Sequence, residues 1–228
     1  MRAKVQQISE TAVRVQFSST IESGLTYILH DFVDKITNDR KPGIVYCQFA
    51  YTTVTVHYEP WQISGREVRT YLSETAKTIS PASVVANGRL IDVPVCYGDE
   101  YGPDLDDVAA YLSTSPDDVV NRHSQPDYLV AFIGFSPGFP YLLGLSPSLA
   151  TPRLNTPRQK TPAGSVGIGG EQTGIYPSES PAGWRIIGRT PVRLFDLERD
   201  RPCLFTAGDS VRFVPISSER FLEIQSAQ

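Results

Sequence analysis

Val13-Arg-Val-Gln-Phe-Ser-Ser-Thr-Ile-Glu-Ser-Gly-Leu-Thr-Tyr-Ile-Leu-His-Asp-Phe-Val-Asp-Lys-Ile36 changes periodicity partway along, and that change decides the architecture of the N-terminal part. Val13, Val15 and Phe17 alternate with Arg14 and Gln16, the period of two expected of a half-buried strand. Further on, Leu25, Ile28, Leu29, Phe32, Val33 and Ile36 fall on one helical face. Between them, Ser19-Thr-Ile-Glu22 has the spacing of a capping box, in which the Ser hydroxyl and the Glu carboxylate satisfy each other's orphan backbone donors. A helix is expected to open there.

Working outward, Lys41-Pro-Gly43 reads as a turn, followed by strands near residues 44–49 and 53–58. A second box, Ser64-Gly-Arg-Glu67, opens a helix that turns Val68, Tyr71, Leu72, Ala76 and Ile79 inward. With a further strand after Pro81, the order is the split βαβ of ferredoxin-like folds, and residues 3–8 supply an extra strand. Asn87-Gly88 is the strongest hairpin-turn signal in the chain and marks the boundary between a domain of residues 1–88 and one of residues 89–228. Beyond it the composition shifts: residues 134–191 hold 19 of the 35 Gly and Pro residues, and helical periodicity is confined to stretches near residues 104–112 and 115–123. Short strands and long loops of this kind suggest a β-barrel or sandwich.

Composition narrows the function. The chain has 228 residues, 40% hydrophobic and 20% charged, which suits one large globular domain or two small ones. A net charge of −4 argues against nucleic-acid binding. Cys47, Cys96 and Cys203 are odd in number and lack Cys-x-x-Cys spacing, so they fit reduced, buried thiols rather than disulfides or a zinc site. The first seven residues hold no apolar signal core, which makes the cytoplasm the expected location. Residues 128–152 carry no charge, yet Gly134, Pro137, Gly138, Pro140, Gly144 and Pro147 interrupt them, so a buried strand leading into a site-lining loop is expected rather than a membrane span.

Gly134-Phe-Ser-Pro-Gly138 matches the G-x-S-x-G nucleophile elbow. However, Gly138 and Pro140 oppose the helix an elbow enters, and His30, His57 and His123 all precede Ser136, so a Ser-His-Asp hydrolase is rejected. Pro162-Ala-Gly-Ser-Val-Gly-Ile-Gly-Gly170 is neither a Walker loop nor a dinucleotide fingerprint. Its glycines are either those of a barrel loop with positive φ or a backbone cradle for an anion. Residues 153–193 contain Arg153, Arg158, Lys160, Arg185, Arg189 and Arg193 against Glu171 and Glu179, a net of +4. Together with Gln172, Tyr176 and Trp184 this composition suits an anionic small ligand, although a solvated basic face has the same composition. His123 ends a helix and serves either as a general acid/base or as a cap for the last carbonyls; His30 and His57 are expected at the surface. No His/Cys/carboxylate set has metal-ligand spacing.

Gly134-Phe-Ser-Pro-Gly-Phe-Pro-Tyr141, Thr151-Pro-Arg153 and Pro162-Ala-Gly-Ser-Val-Gly-Ile-Gly-Gly-Glu-Gln-Thr-Gly-Ile-Tyr-Pro177 strongly resemble the family of bacterial 5-oxoprolinase B subunits. That family is also labelled allophanate hydrolase subunit 1 and includes sporulation-kinase inhibitors of the KipI type. Tyr97-Gly98, Gly102-Pro-Asp-Leu105, Gly183-Trp184, Leu194-Phe-Asp196 and Gly208-Asp-Ser-Val-Arg-Phe213 extend the resemblance over the whole chain. Asp99 and Ala182 depart from it, standing where the family usually carries glycine. The resemblance implies an α+β N-terminal domain, ferredoxin-like by the periodicity above, followed by an all-β cyclophilin-like barrel. It also implies ATP-dependent cleavage of 5-oxo-L-proline to L-glutamate, performed together with two partners, the A subunit of the complex and its carboxyltransferase-like C subunit. The alternative is a regulator that binds a histidine kinase.

Within this reading Arg153 and Lys160 are expected to meet anionic groups, and His123 or Tyr176 to transfer protons. The amides of Gly164, Ser165, Gly167, Gly169 and Gly170 are expected to hold an oxyanion or phosphate, and Gln172 and Trp184 to position substrate.

Overall fold

The structure, a computed structural model, describes residues 3–79 and 88–227. The chain divides into two compact units, Met1–Asn87 and Gly88–Gln228. Asn87 of the expected hairpin turn lies outside the described residues, as does the strand expected after Pro81.

The first unit contains β1 (Lys4–Ser9), β2 (Ala12–Gln16), α1 (Ser23–Asp39), β3 (Ile44–Ala50), β4 (Thr53–Tyr58) and α2 (Gly65–Thr78). Its sheet runs β1-β2-β4-β3 and every pair is antiparallel. This corrects the ferredoxin-like expectation. The edge beside β2, which that fold fills with its last strand, is occupied by β1, returned by a tight turn at residues 10–11. Val13, Val15, Leu29, Phe32, Ile36, Val54, Val56, Val68 and Leu72 form the core between helices and sheet. In α2 the capping box is complete: Glu67 N–H donates to Ser64 Oγ at 3.3 Å, and Ser64 N–H donates to the Glu67 carboxylate at 3.0 Å. The box at residues 19–22 does not form, and α1 starts after Glu22, which caps nothing with its side chain.

The second unit is a closed barrel of β5 (Leu90–Tyr97), β6 (Asp127–Ile133), β7 (Pro140–Leu143), β9 (Ser165–Gly169), β10 (Gln172–Ile175), β12 (Arg185–Arg189) and β13 (Ser210–Pro215). The order around it is β10-β7-β6-β13-β5-β12-β9, in which only the β13–β5 pair is parallel. A separate ribbon pairs β8 (Arg158–Thr161) with β11 (Ser180–Ala182). The unit is not all-β, a second correction. It carries α3 (Leu105–Tyr111), α4 (Pro116–Ser124) and α5 (Ser218–Ser226). Leu105, Val108, Ala109 and Val119 belong to the same buried cluster as the barrel strands, so α3 and α4 complete the core. Asp99 adopts φ +44, the left-handed region that glycine enters at no steric cost. Among the described residues, no helix is long and apolar enough to cross a membrane.

Candidate functional site

The glycine-rich segment is not a loop. Residues 165–169 are β9, buried throughout and paired on both sides, with β10 and β12. Gly164 N–H donates to the Tyr176 carbonyl at 2.7 Å and Gly170 N–H to that of Thr151 at 2.8 Å. The structure therefore does not present the amides of Gly164, Ser165, Gly167, Gly169 and Gly170 as an anion cradle. What glycine permits here is packing: a Cβ on Gly169 would come to 2.5 Å from the Trp184 indole. The bare backbone of β9 seats that ring.

Trp184 and its neighbours then build a groove. Phe139, Tyr176, Ala182, Trp184 and Ile186 form a buried cluster beside the main core. The Phe139 ring meets Trp184 edge-on at 5.6 Å and Tyr176 at 5.1 Å, and Tyr141 lies 4.9 Å from Phe139. Over this aromatic floor lies a cavity of about 230 Å³ whose lining includes Phe135, Tyr141, Arg153, Tyr176 and Trp184. That is smaller than the roughly 300–1,000 Å³ typical of drug-sized ligands and suits a compact metabolite.

Arg153 brings charge to the groove. Its guanidinium sits 5.8 Å from the Trp184 ring centroid, and among the described residues no carboxylate pairs with it. The backbone holds it there. Leu154 N–H donates to the Gly183 carbonyl at 2.7 Å, and Thr151 bridges to Gly170. Burial pushes the pKa of the Tyr176 hydroxyl up to about 12, against a smaller lowering by Arg153. Tyr176 is therefore a neutral hydrogen-bond donor at physiological pH, not a base.

The other cations of the +4 segment are occupied elsewhere. Arg158 makes a bidentate pair with Asp104, Lys160 lies 3.3 Å from Glu179, Arg185 lies 3.3 Å from Asp107, and Arg193 lies 3.3 Å from Asp196. Arg189 donates to the Ala163 carbonyl at 2.8 Å. Lys160 is exposed and does not line the groove. Gln172, half-buried opposite Gly169 in the ladder, does not line it either.

His123 lies inside the barrel, fully buried and away from the groove. The Thr173 hydroxyl donates to the Gly167 carbonyl at 3.0 Å, so it accepts from His123 Nε2–H at 2.9 Å, and Nδ1 accepts from the Tyr97 hydroxyl at 2.9 Å. Both ring nitrogens are committed, and the ring stacks on Phe213 at 4.6 Å. It makes no cap on α4 carbonyls; its backbone carbonyl instead accepts from the Tyr128 hydroxyl at 2.8 Å.

Burial drives the pKa of His123 down to about 3. In the unfolded chain the ring protonates near 6.5, so its burial as a neutral base is without penalty above that pH and opposes folding as pH falls toward 3. His123→Gln, which keeps a donor and an acceptor, is expected to flatten the acid limb of stability by up to about 1.4 kcal/mol per pH unit. Denaturant midpoints of both proteins between about pH 4 and 7 measure this difference; parallel curves would contradict it.

Phe135, Phe139 and Tyr141 join the site although sequence reasoning did not assign them a role. Their signal is the aromatic spacing within Gly134-Phe-Ser-Pro-Gly-Phe-Pro-Tyr141. Among the described residues no group of side chains could hold a metal ion.

Residues 3–205 match the family model described as carboxyltransferase domain, subdomain C and D. The chain is 37% identical over 235 residues to the 5-oxoprolinase B subunit of Bacillus subtilis (strain 168), covering 97% of this chain and 96% of that one. It is 52% identical over 142 residues to the 5-oxoprolinase B subunit of Escherichia coli O157:H7, covering 62% of this chain and 63% of that one. The crystal structure of TTHA0988 superposes with a TM-score of 0.80 at 30% identity over 94% of this chain, which spans only 40% of that longer one. The chain belongs to the family of 5-oxoprolinase B subunits, built on the carboxyltransferase domain, subdomains C and D.

Proposed function

We propose that this chain is the B-type subunit of an ATP-dependent 5-oxoprolinase, opening 5-oxo-L-proline to L-glutamate in the cytoplasm together with an A-type partner and a carboxyltransferase-like C-type partner. The observation that carries the reading is Arg153, stacked on Trp184 at the groove and free of any carboxylate among the described residues. A guanidinium held this way offers a fork of donors to a substrate carboxylate, while Phe139 and Trp184 pack against a small ring. The relatives' names favour the enzyme over the kinase inhibitor.

A lactam resists hydrolysis, and coupling to ATP implies that its amide oxygen is phosphorylated to make the carbon a better electrophile. The amides of β9 are used in the barrel ladder, so we place the phosphoryl chemistry on the partner subunits. In this reading Arg153 holds the carboxylate, Trp184 orients the ring, and the Tyr176 hydroxyl donates to a developing negative charge.

The single chain is accordingly expected to be inert and to gain ATP-dependent turnover only with both partners. Purifying the chain alone and after co-expression with the A-type and C-type partners, then measuring glutamate release, checks this. Turnover by the chain alone would refute the division of labour.

A further inference from the structure

The turn that carries Phe135 bears two unfavourable features at once. Phe135 has φ +66, in the left-handed region, and Ser136 N–H donates back to the Gly134 carbonyl at 2.7 Å, closing the rare three-residue turn with a positive-φ centre. The Ser136 hydroxyl is buried there without a hydrogen-bond partner. The turn is locked rather than loose, because Phe139 N–H donates to the Ser136 carbonyl at 3.0 Å and Gly134 N–H to the Phe139 carbonyl at 3.1 Å. What this arrangement achieves is the display of one ring. Phe135 is 64% exposed, yet it meets Phe139 edge-on at 5.5 Å and Tyr176 at 6.2 Å and lines the groove.

Strained backbone persists where surrounding structure over-determines it, and such positions cluster at ligand-binding sites. We infer that Phe135 is a specificity-determining residue: its ring forms the outer wall of the groove, sets the groove's length for a five-membered lactam carboxylate, and excludes larger rings. The inference rests on the lactam reading of the groove. Arg153 and Trp184 bind and orient such a ligand, whereas Phe135 limits its size.

The test uses the full three-part complex carrying Phe135→Ala, Phe135→Leu or Phe135→Gly, with 5-oxo-L-proline and its six-membered homologue 6-oxopiperidine-2-carboxylate as substrates. Removing the wall is expected to raise KM for 5-oxo-L-proline about tenfold with kcat little changed, and to shift the kcat/KM ratio toward the larger ring by about tenfold or more. Phe135→Leu, which keeps apolar bulk, is expected to recover part of the discrimination. Thermal unfolding of the isolated chain probes the strain separately. Glycine relieves a positive φ and alanine does not, so Phe135→Gly is expected to melt above Phe135→Ala, the reverse of their usual order.

An unchanged substrate ratio in an active complex would overturn the role of Phe135. Alanine melting above glycine would remove the strain on which it stands. A wild-type complex that leaves 5-oxo-L-proline intact would instead refute the lactam reading itself. If the alanine variant does not fold, the glycine variant carries the kinetic comparison.

Discussion

Asp104→Ala is expected to lower the stability of the second unit by about 3 kcal/mol, which for a unit of this size is a fall of roughly 10 °C in the thermal midpoint. Asp104 is 2% exposed and precedes α3, but its carboxylate does not cap that helix. It accepts instead from both arms of Arg158, at 2.8 and 2.5 Å, and from the Ile186 backbone N–H at 2.6 Å. One carboxylate thus ties the start of α3, the β8 ribbon and barrel strand β12 together. Truncating it leaves Arg158, whose side chain is 32% exposed, short of its counter-charge, and leaves a buried N–H unpaired. The partial exposure of Arg158 places the effect at the lower end of the range for buried pairs. Arg158→Ala should cost a similar amount, and the double variant clearly less than the sum, because the second change removes a group already orphaned. Denaturant unfolding of the four proteins gives the coupling. An additive double variant would show that Asp104 and Arg158 contribute independently.

That ion pair also shows where sequence reasoning ends. The basic segment reads as a ligand-seeking surface because Asp104 and Asp107 lie far outside it, and only the fold brings them to Arg158 and Arg185, whereas Asp196 stands three residues beyond Arg193. The glycine run misleads for the same reason. Its composition is that of a loop, whereas β9 is a central strand whose missing side chains are replaced by Trp184, distant in sequence. Local signals fare better when they are self-contained. The α2 capping box and the inward face of Val68, Leu72, Ala76 and Ile79 need nothing from elsewhere in the chain, and both are present. The first box fails on a local competition. Ser18 Oγ accepts from Thr20 N–H at 3.1 Å and the Thr20 hydroxyl donates to Glu22 at 3.1 Å, so the carboxylate is turned away from the backbone. The α5 helix is invisible to periodicity because it buries one residue, Phe221, against Tyr101. Arg153, Tyr176 and Trp184, singled out from motif and charge, line one groove. His123 reads as a candidate because a sequence does not show that both ring nitrogens are hydrogen-bonded in the protein interior.

Arg153→Ala is expected to cut kcat/KM of the full complex for 5-oxo-L-proline by about tenfold to a hundredfold, the loss of a charge-assisted hydrogen bond worth roughly 1.5–3 kcal/mol. The loss should fall mainly on KM, because a carboxylate remote from the reacting amide is held equally in ground and transition states. Arg153→Lys should restore only part of it, since an ammonium offers neither the planar fork nor the stacking on Trp184. Folding is a fair control. Arg153 is exposed and unpaired with carboxylates among the described residues, so what it loses in the folded chain is a cation–π contact of about 1 kcal/mol or less. Circular dichroism and co-purification with the partner subunits should therefore match wild type. A kinase regulator would behave differently, losing inhibition without any change in lactam opening. Steady-state kinetics unchanged by Arg153→Ala would remove the guanidinium from the substrate. The groove would then need another source of charge, and none of the other residues lining it, which include Phe135, Tyr141, Tyr176 and Trp184, carries a positive charge.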